Sequence, residues 1–240
     1  FLNFSNTCRP SELALYSSIP RVALTQGIPL ACAGENPFLA FGNSCGSIDG
    51  DASDITSMHT LGDGDLTPYL KDGNRPEDML LYRFPDKDKR SHEKLRMIYL
   101  GYYIKGYSLS NNAEYAMNYG FKPRSGPDAD SLRTGSYHNH TAVDEDFVIV
   151  NQFLKHLKFG FGNVTQQVSS DIRDGRLGRA EALELIQLYD GLCDRDYIDR
   201  FVSFIGITEE QFWDVAERAR NLDIWESVGN GWELKYKPSL

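Results

Sequence analysis

FVIVNQFLKHLKFGFGNVTQQVSSDIRDGR, residues 147–176, is the stretch on which the reading of this chain turns. Phe147, Val150, Leu154 and Leu157 recur at spacings of three and four, which predicts an amphipathic helix. That helix brings Lys155 and Lys158 to a break, Phe159-Gly160-Phe161-Gly162. A second helix pattern follows, with Val164, Val168 and Ile172 on one face and Ser169, Arg173 and Arg176 towards another. Two helices joined by a glycine hinge, basic at the hinge and at the far end, could hold an anionic ligand. The plainer reading is an ordinary helix pair with a solvated basic edge, and spacing alone favours it.

Downstream the pattern stays helical. Leu183, Ile186 and Tyr189 line one side of 179–189, and Ile198, Phe201, Val202 and Ile205 mark 196–205. Thr208-Glu209-Glu210-Gln211 fits a capping box, ahead of a stripe of Phe212, Val215, Ala216 and Ala219. Ile224-Trp225 and Gly231-Trp232-Glu233-Leu234 read as a tail folded back by its aromatics.

Upstream, 10–26 reads as a helix that Pro20 should kink or split. After Gly27, residues 28–33 (IPLACA) form a short apolar run expected of a buried parallel strand, with Cys32 a small buried hydrophobe. The strand ends in Gly34-Glu35-Asn36-Pro37. Ligands of α/β sheets bind beyond the carboxyl ends of strands, where Glu35 and Asn36 could read a base or sugar edge. Alternatively they only stop the strand. Residues 97–104 (MIYLGYYI) form the second strand pattern, with Gly101 where another backbone or a ligand comes close. Ser110 is expected to cap a helix over 111–119.

Between the strands, 42–94 is rich in Gly, Asp and Ser. Asp49, Asp51, Asp54, Asp63 and Asp65 raise a calcium reading, but the spacing is not that of an EF-hand, and a solvated acidic loop fits better. His138 and His140, followed by Asp144 and Asp146, form the best metal candidate, set against hydrogen-bonded surface histidines. His59 and His92 cannot be assigned to it by spacing.

Composition bounds the function. The 240 residues carry 25 Lys+Arg against 34 Asp+Glu, which argues against a general electrostatic grip on nucleic acid, and any anion needs a local basic pocket. No apolar run is long enough to span a membrane. Cys8, Cys32, Cys45 and Cys193 show no paired spacing, which suits a reducing, cytoplasmic setting. No GxxxxGK[ST] loop is present. The chain opens on Phe1 rather than Met, and is expected to be a piece of a longer protein.

Six stretches together resemble a known family: IPLACAGENP (28–37), EDMLLYRFP (77–85), IYLGYYIKGYSLSNNAEYAMNYGF (98–121), GSYHNHTAVDEDF (135–147), the run from LKFGFG to QLYDG (157–191) and FIGITEEQFWDVAERARNLDIW (204–225). In that order they are similar to N-acetyl sugar amidotransferases of bacterial surface-polysaccharide, lipopolysaccharide and O-antigen biosynthesis, in the PP-loop ATP pyrophosphatase superfamily. The resemblance implies an α/β fold, a partial PP-loop parallel sheet followed by a C-terminal helical bundle. In those terms 1–41 is the end of the nucleotide-binding α/β unit, 42–94 an acidic insert, 95–135 a further strand and helix, and 136–240 a helical substrate and partner domain.

The implied reaction uses ATP, with Mg2+, to adenylate the acetamido oxygen of a nucleotide-activated sugar; ammonia then displaces AMP to leave an acetamidino group. The implied partners are the nucleotide-sugar substrate and glutaminase and cyclase-like proteins that supply ammonia, with no nucleic acid and no membrane insertion. Carried over by motif, Gly34, Glu35 and Asn36 lie at the nucleotide edge. Tyr137, Asn139, Lys158, Arg173 and Arg176 fall on the substrate side, with Lys158 and Arg173 neutralising phosphate or a sugar carboxylate. The family's SGGxDS phosphate loop matches nothing in this sequence, so no catalytic residue is assigned. Two other readings stand beside this one: a non-catalytic fragment or module that docks a glutaminase, and a metal hydrolase built on His138, His140 and Asp144.

Overall fold

The computed structural model describes residues 1–38, 48–58, 60–70, 73–86, 88 and 94–239. Cys45, His59 and His92 lie outside the described residues. The chain is mixed α/β and divides into two units, Cys8–Tyr107 and Phe1–Thr7 with Ser108–Leu240.

In the unit Cys8–Tyr107, α1 (Arg9–Thr25) carries Pro10 in its first turn, where a missing N–H costs nothing. It runs through Pro20 without splitting in two, one of the two outcomes expected there. The bond that proline forfeits is offset by packing, because Leu13, Ser17, Pro20 and Ala23 share one buried face. Ser17 Oγ also donates to the Leu81 carbonyl at 2.8 Å. Gly27 takes φ +64° to turn the chain, a conformation that favours glycine.

Strand β1 (Leu30–Ala33) then pairs in parallel with β2 (Arg96–Tyr99), in the register Leu30↔Arg96 to Ala33↔Tyr99. Neither strand is buried throughout. Cys32 is exposed while Ala33 and Tyr99 face the core, so the expected continuous burial is corrected to alternation. The second strand is also shorter than its apolar run, because the chain turns into the short helix α2 (Leu100–Tyr103). Gly101 explains the turn: a Cβ there would lie 2.9 Å from the Glu35 carbonyl and 2.5 Å from the Tyr107 ring.

The acidic stretch is more than a solvated loop. Short 3-10 turns at Ile55–Ser57, Gly62–Gly64, Thr67–Tyr69 and Pro76–Met79 deliver Ile55, Leu61 and Phe84 into one core with Leu13, Ala33, Met97 and Tyr99. Its carboxylates fold it locally. Asp49, Asp51 and Asp65 each accept the backbone N–H two residues on, at 2.8–3.1 Å.

The other unit is helical. Ser108 caps α3 (Leu109–Met117) by accepting from Asn111 N, which displaces the expected Ser110 cap. A short α4 (Ser131–Thr134) leads to α5 (Phe147–Phe159), α6 (Asn163–Arg173), α7 (Arg179–Tyr189), α8 (Arg195–Ile205) and α9 (Glu209–Ala219). Val150, Leu154 and Leu157 of α5 pack with Tyr197 and Phe201 of α8 and with Phe212 and Ala216 of α9. Each fully buried aliphatic or aromatic side chain here contributes about 1.5–3 kcal/mol. The Phe1 ring closes this core, 5.1 Å from Phe201 and 5.4 Å from Phe212. Val164 and Val168 of α6 pack on Ala182 of α7, whereas Ile172, expected on the same face, is 37% exposed. Thr208 and Gln211 form the capping box in both directions. The aromatic tail is an antiparallel hairpin of β3 (Trp225–Val228) and β4 (Gly231–Leu234), pinned where Trp225 Nε1 donates to the Leu157 carbonyl at 2.8 Å. Among the described residues no helix is long and apolar enough to cross a membrane.

Candidate functional site

The glycine hinge does form, and its anion comes from within the chain. Gly160 ends α5 at φ +74°; a Cβ there would meet Ile224 at 2.7 Å and Leu234 at 3.0 Å. At Gly162 a Cβ would sit 2.8 Å from the Asp190 carboxylate. Asp190 thereby reaches the start of α6, accepting from Gly162 N at 2.8 Å, Thr165 N at 3.3 Å and Thr165 Oγ1 at 2.7 Å. Unpaired N–H groups at a helix start favour a negative charge, and Asp190 supplies it.

The hinge lysines are likewise engaged. Lys155 Nζ donates to Gln166 Oε1 at 2.7 Å and lies 4.8 Å from the Phe161 ring centre. Burial pushes its pKa down to about 8, with Asp190 opposing the shift. Lys158 Nζ donates to the carbonyls of Phe4 (3.1 Å) and Ser5, and burial lowers its pKa too. The ammonium expected to meet phosphate instead ties down the N-terminal turn.

One flank of α6 is a buried polar seam. Asp171 Oδ1 accepts from Ser110 Oγ at 3.0 Å, and Oδ2 lies 2.8 Å from His138 Nε2. Gln167 accepts from the backbone N–H groups of Tyr137 (2.8 Å) and His138 (3.1 Å), and donates to the hydroxyls of Ser136 and Thr141. Ser108 Oγ donates to Asp174 Oδ2 at 2.6 Å. Serine, histidine and aspartate therefore meet, but on separate oxygens of one carboxylate, so His138 is not placed to take a proton from Ser110. The seam fixes the 136–141 loop on α6. His138 and His140 stack with ring centres 4.5 Å apart, and among the described residues no group of three or more His, Cys, Asp and Glu is arranged to hold a metal ion.

Beside the hinge lies a cavity of about 500 Å³. His156 and Gly160 at the end of α5, Leu183, Ile186 and Gln187 of α7, Asp190, and Trp225, Trp232 and Leu234 of the hairpin line it, with Glu233, Lys237 and Pro238 at one side. His156 packs edge-on to Trp225 at 5.1 Å. Gly191 is equally tight, since a Cβ there would lie 2.3 Å from the imidazole. His156 Nδ1 is buried with no hydrogen-bond partner and is 3.7 Å from Asp190 Oδ2, too far for a bond. Burial lowers the His156 pKa.

Residues 134–238 match the family described as LPS biosynthesis protein WbpG-like, C-terminal domain. The match supports an LPS-biosynthesis protein of the WbpG type, with a role in lipopolysaccharide or polysaccharide biosynthesis. No curated protein matches the chain. The hinge and the cavity lie inside the WbpG-like segment, as do Gln167, Asp171 and His138 of the seam.

The residues assigned by motif are dispersed. In the WbpG-like segment, Tyr137 packs beside Val164 and Val168, and Asn139 is exposed while its carbonyl accepts from Arg124 N at 2.8 Å. Arg173 is exposed on the last turn of α6. Arg176 is paired with Glu114 at 2.8 Å and with Asn111. Gly34, Glu35 and Asn36 belong to the other unit, at the carboxyl end of β1. There Tyr16 donates to Glu35 Oε1 at 3.2 Å, and Asn36, buried, donates to the Gly101 carbonyl at 3.4 Å. Burial, reinforced by Glu35, raises the Tyr16 pKa. Sequence reasoning missed Asp171, Asp190 and His156, whose partners are distant in sequence. Trp225 and Trp232 on either side of a Gly-Asn-Gly turn were the one visible sign of the cavity.

Proposed function

We propose that this chain is part of an ATP-dependent amidotransferase of lipopolysaccharide biosynthesis that converts the acetamido group of a nucleotide-activated sugar to an acetamidino group. The observation that carries the reading is the WbpG-like match over 134–238, which supports polysaccharide biosynthesis and includes the hinge motif by which the chain resembles the amidotransferases. A parallel strand pair ending in Gly34-Glu35-Asn36 is in keeping with a nucleotide-binding edge.

The chemistry needs activation because an amide oxygen leaves poorly. Adenylation of that oxygen releases pyrophosphate; ammonia then adds to the imidate carbon and AMP departs with the oxygen. Such an intermediate must be kept from water, and the ammonia must reach it unprotonated. A cytoplasmic glutaminase with a cyclase-like partner would supply the ammonia.

ATP and Mg2+ enter by resemblance only. The donor set of this chain does not fit a phosphate cradle: SGGxDS is absent from the sequence, and no acidic cluster suited to a metal occurs among the described residues. No step is therefore assigned here to a residue acting on either.

The reading is tested by incubating the full-length protein with ATP, ammonium and UDP-linked N-acetyl sugars. Expected products are AMP, pyrophosphate and a sugar nucleotide lighter by about one mass unit, since an oxygen is exchanged for NH. AMP release that does not depend on the acetamido group would overturn it.

A further inference from the structure

The hairpin that lines the cavity turns on Asn230-Gly231, the one Asn-Gly pair in the 240 residues. Val228 pairs with Gly231, so Gly229 and Asn230 are the central residues of the turn. Gly229 takes φ +58° and Asn230 has no positive φ, the pattern of a type II′ turn with its glycine first. Gly231 is not required by conformation: its own φ is not positive, and a Cβ there would meet only the Val228 carbonyl, at 3.9 Å. What its missing side chain leaves open is the approach to its own nitrogen. Both residues are exposed, and among the described residues the Asn230 amide has no hydrogen-bond partner.

That arrangement permits a reaction of the chain on itself. The Gly231 nitrogen, once deprotonated, adds to the side-chain carbonyl carbon of Asn230. The bond from that carbon to the amide nitrogen then breaks, and ammonia leaves with the proton. A five-membered succinimide remains. Water opens it at either carbonyl, giving aspartate or, by attack at the main-chain carbonyl, isoaspartate; no oxidant or cofactor enters. Attack needs the Gly231 nitrogen free of its pairing with Val228. The ladder is four pairs long and exposed towards its tip, so fraying there supplies the open form.

We propose that Asn230 is a site of spontaneous deamidation, and that isoaspartate there unseats the hairpin from the hinge. Isoaspartate carries its β-carbon in the main chain, so the turn gains an atom and no longer sets Val228 against Gly231. It also adds a carboxylate to a hairpin in which Glu226 already faces Glu233. The effect runs down the ladder. Ser227 faces Trp232, whose ring centre lies 4.8 Å from the Arg220 guanidinium. At the base, Trp225 Nε1 is bonded to the Leu157 carbonyl and Leu234 packs where Gly160 has no side chain. Modification at the tip therefore alters the hairpin wall of the cavity while leaving α5 and α6 chemically intact.

The experiment ages the full-length chain in mildly alkaline buffer and follows each asparagine peptide by mass spectrometry. The Asn230 peptide should become heavier by about one mass unit, since NH2 is exchanged for OH. It should do so about tenfold or more faster than the peptides of Asn112 and Asn118, which are exposed but precede Ala113 and Tyr119, because only glycine leaves its nitrogen unhindered. Gly231→Ala, for which the turn has room, should slow the change by about tenfold and melt close to wild type. On a Trp213→Phe background, so that Trp225 and Trp232 report, the isoaspartate fraction separated by charge should show red-shifted emission. Asn230→Asp on that background carries the charge without the extra main-chain atom and should emit as the unaged chain does. Equal rates at Asn230 and the two control asparagines, an unchanged rate in Gly231→Ala, or unshifted emission from the isoaspartate fraction would each overturn the proposal.

Discussion

The seam along α6 is a bonded polar network, whereas the cavity beside the hinge, in the same WbpG-like segment, is lined chiefly by apolar side chains. Along the seam, Asp171 and Gln167 spend their capacity on Ser110, Ser136, His138 and Thr141. In the cavity wall His156 Nδ1 is buried without a hydrogen bond, 3.7 Å from Asp190 Oδ2. His140 Nε2, stacked beside His138, is as buried and unbonded as His156 Nδ1, so the two regions differ in room and not in satisfaction. The seam looks more like catalysis, with its serine, histidine and aspartate, and is the scaffold.

The sharpest way to break this contrast is Asp171→Ala. It strands His138 and Ser110 in a buried setting and should cost about 3 kcal/mol, read as a fall in the urea midpoint with unchanged slope. A loss below about 1 kcal/mol would mean that water serves the seam equally well.

Lys155 comes next. Its folded-state pKa of about 8 lies below the ordinary 10.5, so between those values the unfolded chain binds more protons and stability rises with pH. Below pH 8 the penalty is fully present. Lys155→Met should therefore stabilise at pH 7 by about 2 kcal/mol, less than the whole shift because the bond to Gln166 is lost, and the gain should vanish near pH 10.5. His156 acts in the same sense nearer neutrality: burial depresses its pKa, so stability drops as the pH falls below its ordinary 6.5.

Asp190→Ala removes the acceptor for Gly162 N and Thr165 and should cost about 1–2 kcal/mol by equilibrium denaturation. The smallest effect is expected at Thr208→Ala, an exposed capping box remote from both features, at about 1 kcal/mol.

The fold was legible where periodicity and end signals agree. Spacing of three and four placed α5 and the buried stripes of α8 and α9, and Thr208-Glu209-Glu210-Gln211 marked a helix start because capping is local chemistry. Legibility failed where partners are remote. Nothing near Gly162 shows that its missing side chain admits Asp190, and nothing near Ser110 shows that Asp171 holds it, so Ser108 takes the cap. Exposure failed too: Cys32 sits in an apolar run, but a sheet strand covered on one face alternates. The hinge lysines show the same limit at the candidate site. A basic residue in sequence is a charge, and only the fold reveals that Lys158 is already held by Phe4 and Ser5.

The most direct test measures melting temperature side by side for Trp232→Ala and Asp171→Ala. The account predicts that Trp232→Ala, in the cavity wall, melts close to wild type, while Asp171→Ala melts well below it. The reverse order would contradict it, and would move the scaffold from the seam to the cavity.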